Sequence, residues 1–185
     1  MAVRKVIQAG NPILREKSKI VSDIGSEKVQ KIIQDLIDSM GKDQSVGMAV
    51  PQIGKGLRIF VSEIRKTKYR NPSSTSKLNI YINPKIIELS KDEAVGYEGC
   101  TSVAIGQFFG PVKRPSGVVV EAFDRKGKKF SLEAKGLLAR VIQHEYDHLE
   151  GILFTDKIDD WKKIMSYEEY IKMRSTARPS EQKSS

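Results

Sequence analysis

Cysteine occurs once in this 185-residue chain, tryptophan once and histidine twice. A lone thiol cannot close an internal disulfide, so the fold does not depend on an oxidising compartment. No apolar run approaches the roughly 20 residues that span a bilayer. The opening Met1-Ala2-Val3-Arg4-Lys5-Val6 lacks the apolar stretch of a secretory signal. These absences speak against an internal disulfide scaffold, a membrane-spanning helix and a secretory signal, and the expectation is a soluble, cytoplasmic protein. Hydrophobic residues make up 39% of the chain and are spread along most of it. That suffices for a core, because a domain of roughly 150 residues buries about 68–70% of its unfolded surface without a staple. No internal repeat or composition break marks a second domain. The expected organisation is one catalytic domain over residues 1–175 and a polar, disordered tail over 176–185.

Negative charge is in deficit. The formal net charge is +9, which invites a nucleic-acid partner, because Lys and Arg release counterions from phosphate backbones. The basic residues are dispersed, however, and the densest run, Arg125-Lys126-Gly127-Lys128-Lys129, reads as a solvated hairpin turn. No specific DNA target and no membrane is expected. The positive charge still favours proximity to a polyanion such as the ribosome.

Hydrophobic periodicity predicts a helix over 26–40, with Val29, Ile32, Ile33, Leu36, Ile37 and Met40 on one face. Ser26 is the expected cap at its start and Gly41 the left-handed residue past its end. Residues 45–56 are rich in Gly and Pro and read as a loop, as does the polar segment 71–77. Strands are predicted over 57–64 and 78–89, the second at a sheet edge or broken at Pro84. A hairpin is predicted from 118–123 to 130–134. A helix is predicted over 136–150 and a final one over 159–174. Strands and helices without regular βαβ alternation imply an α+β fold. Mixed or antiparallel strands would pack around the 136–150 helix, with further helices towards both termini.

The segment His144-Glu145-Tyr146-Asp147-His148 carries the chemistry. Residues four apart share a helix face, so His144 and His148 can hold one metal ion while Glu145 reaches a water on it. Such a pair can equally be a solvated face or a satisfied core pair. Here Leu137 and Val141 share the stripe of the two histidines, and Leu138, Ile142 and Leu149 that of Glu145. A carboxylate buried there must be paired or face a cavity. Both histidines of the chain are used in this motif, so a third ligand must come from Cys, Asp or Glu. The single cysteine lies in a Gly-rich, polar turn, Glu98-Gly99-Cys100-Thr101-Ser102, which is poor context for a core thiol.

Three ordered motifs resemble the peptide deformylase family. They are Ser45-Val46-Gly47-Met48-Ala49-Val50-Pro51-Gln52, then Glu98-Gly99-Cys100-Thr101-Ser102, then His144-Glu145-Tyr146-Asp147-His148, behind an opening turn Gly10-Asn11-Pro12-Ile13-Leu14-Arg15. The resemblance covers roughly residues 4–160. It implies hydrolysis of the N-formyl group on nascent chains that begin with formylmethionine, giving formate and a free amine. It implies Cys100, His144 and His148 as ligands of one divalent ion, typically Fe2+ and replaceable by Zn2+, Ni2+ or Co2+. It implies Glu145 as acid–base, with the Gln52 amide and the Thr101 backbone N–H as oxyanion donors. Gly47 would let substrate backbone approach, Val141 would wall the methionine pocket, and Glu98 would orient a ligand imidazole. The chain departs from the family pattern at Ser45, Val50, Thr101 and Ala104, and residues 106–110 lack the arginine often found there. These departures touch substrate selectivity rather than the ligands.

Two other readings use the same residues. A zinc endopeptidase would share the His-Glu-x-x-His helix and take its third ligand downstream, where Glu168 and Glu169 are available on spacing. A metal-binding, ribosome-associated relative without turnover would keep the fold and the basic surface, docking through Lys162, Lys163, Lys172 and Arg174.

Overall fold

A computed structural model describes residues 3–67 and 72–176. The tail expected to be disordered lies, apart from Thr176, outside the described residues, as does Asn71 at the head of the predicted polar loop; residues 72–78 hold no helix or strand. The fold is α+β. Among the described residues, antiparallel strands form one sheet in the order β1 (Gly47–Ala49), β2 (Ile59–Ser62), β3 (Asn79–Leu89), β6 (Gly117–Phe123) and β7 (Lys129–Lys135), and a second in the order β4 (Glu93–Gly99), β5 (Phe108–Pro115) and β8 (Met165–Ser166).

Helix α1 (Glu27–Lys42) buries Val29, Ile32, Ile33, Leu36 and Met40, the face the periodicity marks. Its ends differ from expectation. Ser26 makes no capping bond to the helix; its hydroxyl donates to the Asp23 carbonyl instead. Gly41 lies inside the last turn, and the left-handed residue is Gln44 at φ 55°. The Gln44 side-chain amide donates to the Gly41 carbonyl, which explains why no glycine is needed there.

The Gly- and Pro-rich segment after α1 is not a plain loop. Gly47–Ala49 forms β1, which pairs with β2 (Ile59–Ser62), and Val50–Ile53 makes a 3-10 turn. Met48, Ala49 and Val50 are fully buried, so packing overrides the turn-like composition. Strand β3 (Asn79–Leu89) is neither broken nor at an edge: it lies between β2 and β6. Pro84 is absorbed by a register shift between Ile82 and Lys85. Beside it Asn83 adopts φ 51°, and its side chain accepts from Val21 N–H at 2.8 Å and donates to Val21 O at 2.9 Å.

Strands β6 (Gly117–Phe123) and β7 (Lys129–Lys135) form the expected hairpin, closed where Asp124 accepts from the backbone N–H groups of Lys126 and Lys128. No element is anticipated over 91–116, yet β4 (Glu93–Gly99) and β5 (Phe108–Pro115) pair along seven residues. Glycines at 96, 99 and 110 hide the strand alternation. Each lies where another side chain (Arg140, Phe109 and Ile158 respectively) packs against the backbone. The predicted last helix starts late. Trp161–Lys163 is a 3-10 turn capped by Asp160, Met165–Ser166 joins β5 as β8, and α3 runs over Tyr167–Thr176.

Helix α2 (Gly136–Leu149) seats Ala139, Ile142 and Leu149 in a core with Phe60, Tyr81, Val118 and Val120. At the centre of that core Tyr81 stacks on Phe60 at 4.3 Å and shares a 3.1 Å hydrogen bond with Ser62. Burial pushes its phenol up to about 12, against the opposing bonds from Ser62 and Asn79. The folded state favours the neutral ring, whereas the unfolded chain ionises near 10. Stability should therefore hold below about pH 10 and fall from there towards about pH 12. Ultraviolet titration should show that the Tyr81→Phe variant lacks the last tyrosinate step of the folded protein; an unchanged step would contradict this.

Candidate metal centre

Helix α2 carries His144 and His148 on the face turned away from its core, one turn apart. Their ring centroids are 5.1 Å apart and nearly perpendicular. Cys100 stands in the turn that ends β4, 5% exposed, with its Sγ 3.3 Å from His148 Nε2. One donor atom from each of Cys100, His144 and His148 lies within 4.8 Å of the others. Among the described residues this is the group of His, Cys, Asp and Glu side chains with ligand geometry, and it contains neither Glu168 nor Glu169. Glu169 instead pairs with Lys172 at 2.6 Å on exposed α3. The downstream ligand of the endopeptidase reading is therefore not in place.

The electrostatics suit a cation. Glu98 is buried and receives Arg114 through two bonds, Nε at 2.7 Å and Nη2 at 2.9 Å, and Arg140 through Nη1 at 2.7 Å. Burial alone would raise its carboxyl, but Arg114 and His144 outweigh that and hold it well below the ordinary carboxylate range. An ionised Glu98 can only accept, so His144 Nδ1, 2.9 Å from its Oε2, carries a proton; burial opposes a second one, but Cys100 and Glu98 outweigh it and hold the imidazole well above its usual pKa, and an ion bound at Nε2 would take that proton's place. A carboxylate behind a ligand imidazole in this way fixes its tautomer and orientation. Burial, helped by the charges of His144 and Arg114, drives the His148 imidazole well below its usual pKa, so it stays neutral, the state a ligand needs. Deprotonated on binding, one cysteine sulfur and two imidazoles would form a donor set for a soft or borderline divalent ion. These residues fit one.

Glu145, next to His144 on α2, is buried, and its Oε2 has no hydrogen-bond partner. Burial pushes its carboxyl up to about 7, with Glu98 and Asp147 adding to the rise and His144 and Arg114 opposing it. Glu98, Cys100, His144 and Glu145 border one cavity of about 650 Å3, which also holds Gln52, Thr101 and Val141 in its wall. That is the size range of small-ligand sites.

A family model described as polypeptide deformylase matches residues 3–164. The chain belongs to the polypeptide deformylase family. It is 41% identical over 160 residues to the peptide deformylase of Heliobacterium modesticaldum, covering 86% of this chain and 97% of that protein. It is 43% identical over 157 residues to that of Dictyoglomus turgidum, covering 85% and 92%. Among solved structures, the Met-Ala-Ser-bound class I type b peptide deformylase of Acinetobacter baumannii superposes with a TM-score of 0.81 at 30% identity, covering 85% of this chain and 99% of that one. The deformylase family is metal-dependent, in keeping with the Cys-His-His group. No helix among the described residues is long and apolar enough to cross a membrane.

Other deformylase motif residues surround this centre. The Gln52 side-chain oxygen accepts from Ala49 N–H at 2.8 Å, which turns its Nε2 towards Ser102 Oγ at 3.3 Å and Cys100 Sγ at 3.4 Å. Thr101 follows Cys100 in the same turn, and its carbonyl accepts from Gln8 at 2.9 Å. Gly47 serves the centre from within: a Cβ there would sit 2.5 Å from Glu145 Oε1 and 2.7 Å from Val141 Cγ1. Gly47→Ala should therefore push Glu145 out of place and lower kcat at least tenfold with metal content unchanged. Steady-state kinetics beside metal analysis checks this, and a wild-type kcat would contradict it. Asp147 of the third motif is no ligand. It accepts from Arg114 Nη1 at 2.7 Å and faces Lys157 at 3.4 Å. Sequence reasoning passed over Arg114 and Arg140, which hold Glu98. Neither has a local signal, because each acts across strands or from helix to strand.

Proposed function

We propose that this chain is a metal-dependent hydrolase that removes the N-formyl group from the N-terminal methionine of newly made polypeptides and releases formate. The observation that carries this reading is the convergence of Cys100, His144 and His148 beside a buried Glu145 with an unpartnered oxygen. The Met-Ala-Ser held by the Acinetobacter baumannii relative is a peptide beginning with methionine, the kind of product the reaction leaves. Iron in the ferrous state is the proposed ion, with zinc, nickel or cobalt able to take the same donors.

When bound, such an ion supplies Lewis acidity, making water acidic enough to yield hydroxide near neutral pH. Glu145 then takes the proton of the attacking water on its free oxygen and returns it to the leaving amine nitrogen. A carboxyl held near neutrality suits both transfers. Gln52 Nε2, oriented through its own carbonyl, and the backbone N–H of Thr101 donate to the developing oxyanion. Such donors are each worth roughly 2.7–4 kcal/mol. Val141 limits the space for the substrate side chain, and Gly47 leaves room for Glu145 and for an extended peptide beside β1. The working unit is residues 1–175, acting in the cytoplasm on chains emerging from the ribosome, with the +9 charge aiding proximity.

Formate release from formyl-Met-Ala-Ser by anaerobically purified, ferrous- or nickel-loaded protein tests the reading. Turnover that stops on metal removal and returns on reloading is expected. Fully loaded protein that releases no formate would refute it.

A further inference from the structure

Three consecutive residues near the N-terminus, Ile7, Gln8 and Ala9, tie together the two segments that carry the proposed oxyanion donors. The Ile7 N–H donates to the Gln52 carbonyl at 2.8 Å, and the Ala9 N–H to that of Ser102 at 2.7 Å. Between them the Gln8 side chain spans the turn that follows Cys100. Its Nε2 donates to the Thr101 carbonyl at 2.9 Å, and its Oε1 accepts from the Ile105 N–H at 3.1 Å. The Val103 N–H donates to the Cys100 carbonyl at 2.9 Å, and that carbonyl shares one planar peptide group with the Thr101 N–H. The carbonyls of Cys100, Thr101 and Ser102 are thus each held in turn, two of them by Gln8 and Ala9.

The turn depends on such support. Ala104, Ile105 and Gly106 all have left-handed φ, at 47°, 54° and 74°. Side chains rarely adopt that conformation, a β-branched one least of all. Backbone of this kind persists only where its surroundings fix it. Packing does little here, because Ile105 is 76% exposed. Hydrogen bonds hold it instead: Ile105 to Gln8, the Gly106 N–H to the Val103 carbonyl and the Gln107 N–H to the Ala104 carbonyl, the last two at 3.0 Å.

We infer that Gln8 is a positioning residue for the reaction: it holds the turn over residues 100–106 so that the Thr101 N–H stays aimed at the developing oxyanion. The inference rests on the deformylase reading of the site. The bonds of Gln8 to Thr101 and Ile105 go to backbone groups, so replacing it leaves Cys100, His144, His148 and Glu145 chemically unaltered. The oxyanion develops only on the way to the transition state, so a misaimed donor lowers kcat and leaves ground-state binding alone. A misplacement of about 1 Å can cost on the order of 10²-fold in rate.

The test is steady-state kinetics on formyl-Met-Ala-Ser with full-length, metal-loaded Gln8→Leu and Gln8→Glu, beside metal analysis and inhibition by the product Met-Ala-Ser. Leucine has similar bulk and makes neither bond. At neutral pH an ionised glutamate still accepts from the Ile105 N–H but sets a second oxygen against the Thr101 carbonyl. Both variants should lose about 10- to 100-fold in kcat. KM, product inhibition and metal content should stay close to wild type, which a general loosening of the site would not allow. Gln8→Glu, the smaller change in shape, carries the same expectation should Gln8→Leu fail to fold. Either variant with wild-type kcat, or a loss of kcat matched by lost metal or weaker product binding, would overturn this inference and leave deformylation standing. Metal-loaded wild type that releases no formate would overturn both.

Discussion

Cys100→Ala should give a folded protein that neither retains a metal ion nor releases formate. The thiol supplies one of three donors, and two imidazoles alone fall short of the three protein ligands of a catalytic site. It is also the anionic donor, placed 3.3 Å from one imidazole. Removing a group that merely supports a ligand lowers metal affinity roughly 10–100-fold; removing the ligand should exceed that. The fold should survive. Cys100 packs in a small cluster with Val112, Phe154 and Ile158, and alanine deletes a single heavy atom there. Dialysis followed by metal analysis, with circular dichroism beside it, separates the two effects. Retention of one ion per chain by the variant would contradict the assignment.

Glu145→Gln should retain its metal and lose about 10²- to 10⁴-fold in kcat. Glutamine keeps the shape of the side chain in a tight setting, between the Gly47 backbone and the cavity, but can neither take nor return a proton at its free oxygen. The wild-type carboxyl suits the task because burial lifts it to about 7, where the ionised and protonated forms interconvert readily at neutral pH. None of the three proposed ligands is altered, so the metal content should match wild type. A variant within tenfold of wild-type kcat would show that another group moves the proton.

Elements whose pattern reflects contacts within themselves were legible in the sequence. Helix α1 shows its buried face through spacing, α2 shows both its apolar face and its two imidazoles, and the β6–β7 hairpin is announced by β-branched runs around a basic turn. What escaped depends on contacts between distant segments. Strands β4 and β5 carry glycines placed for the side chains of Arg140, Phe109 and Ile158, so their alternation is lost. Pro84 sits in a central strand because Asn83 turns away to pair with Val21. At the site, the likeness of three motifs pointed to the cysteine, the histidines and the acid. The arginine that neutralises Glu98 and Asp147 lies on β5, 16 residues from one and 33 from the other, and nothing around position 114 marks it.

The claim on which the rest depends is that one thiolate and two imidazoles bind the same ion. X-ray absorption at the metal edge of anaerobically purified protein reads those ligands directly. One ion per chain with a single sulfur and two imidazole nitrogens in its inner shell is the predicted result. An ion with no sulfur neighbour, or protein that binds none at saturating metal, would contradict it.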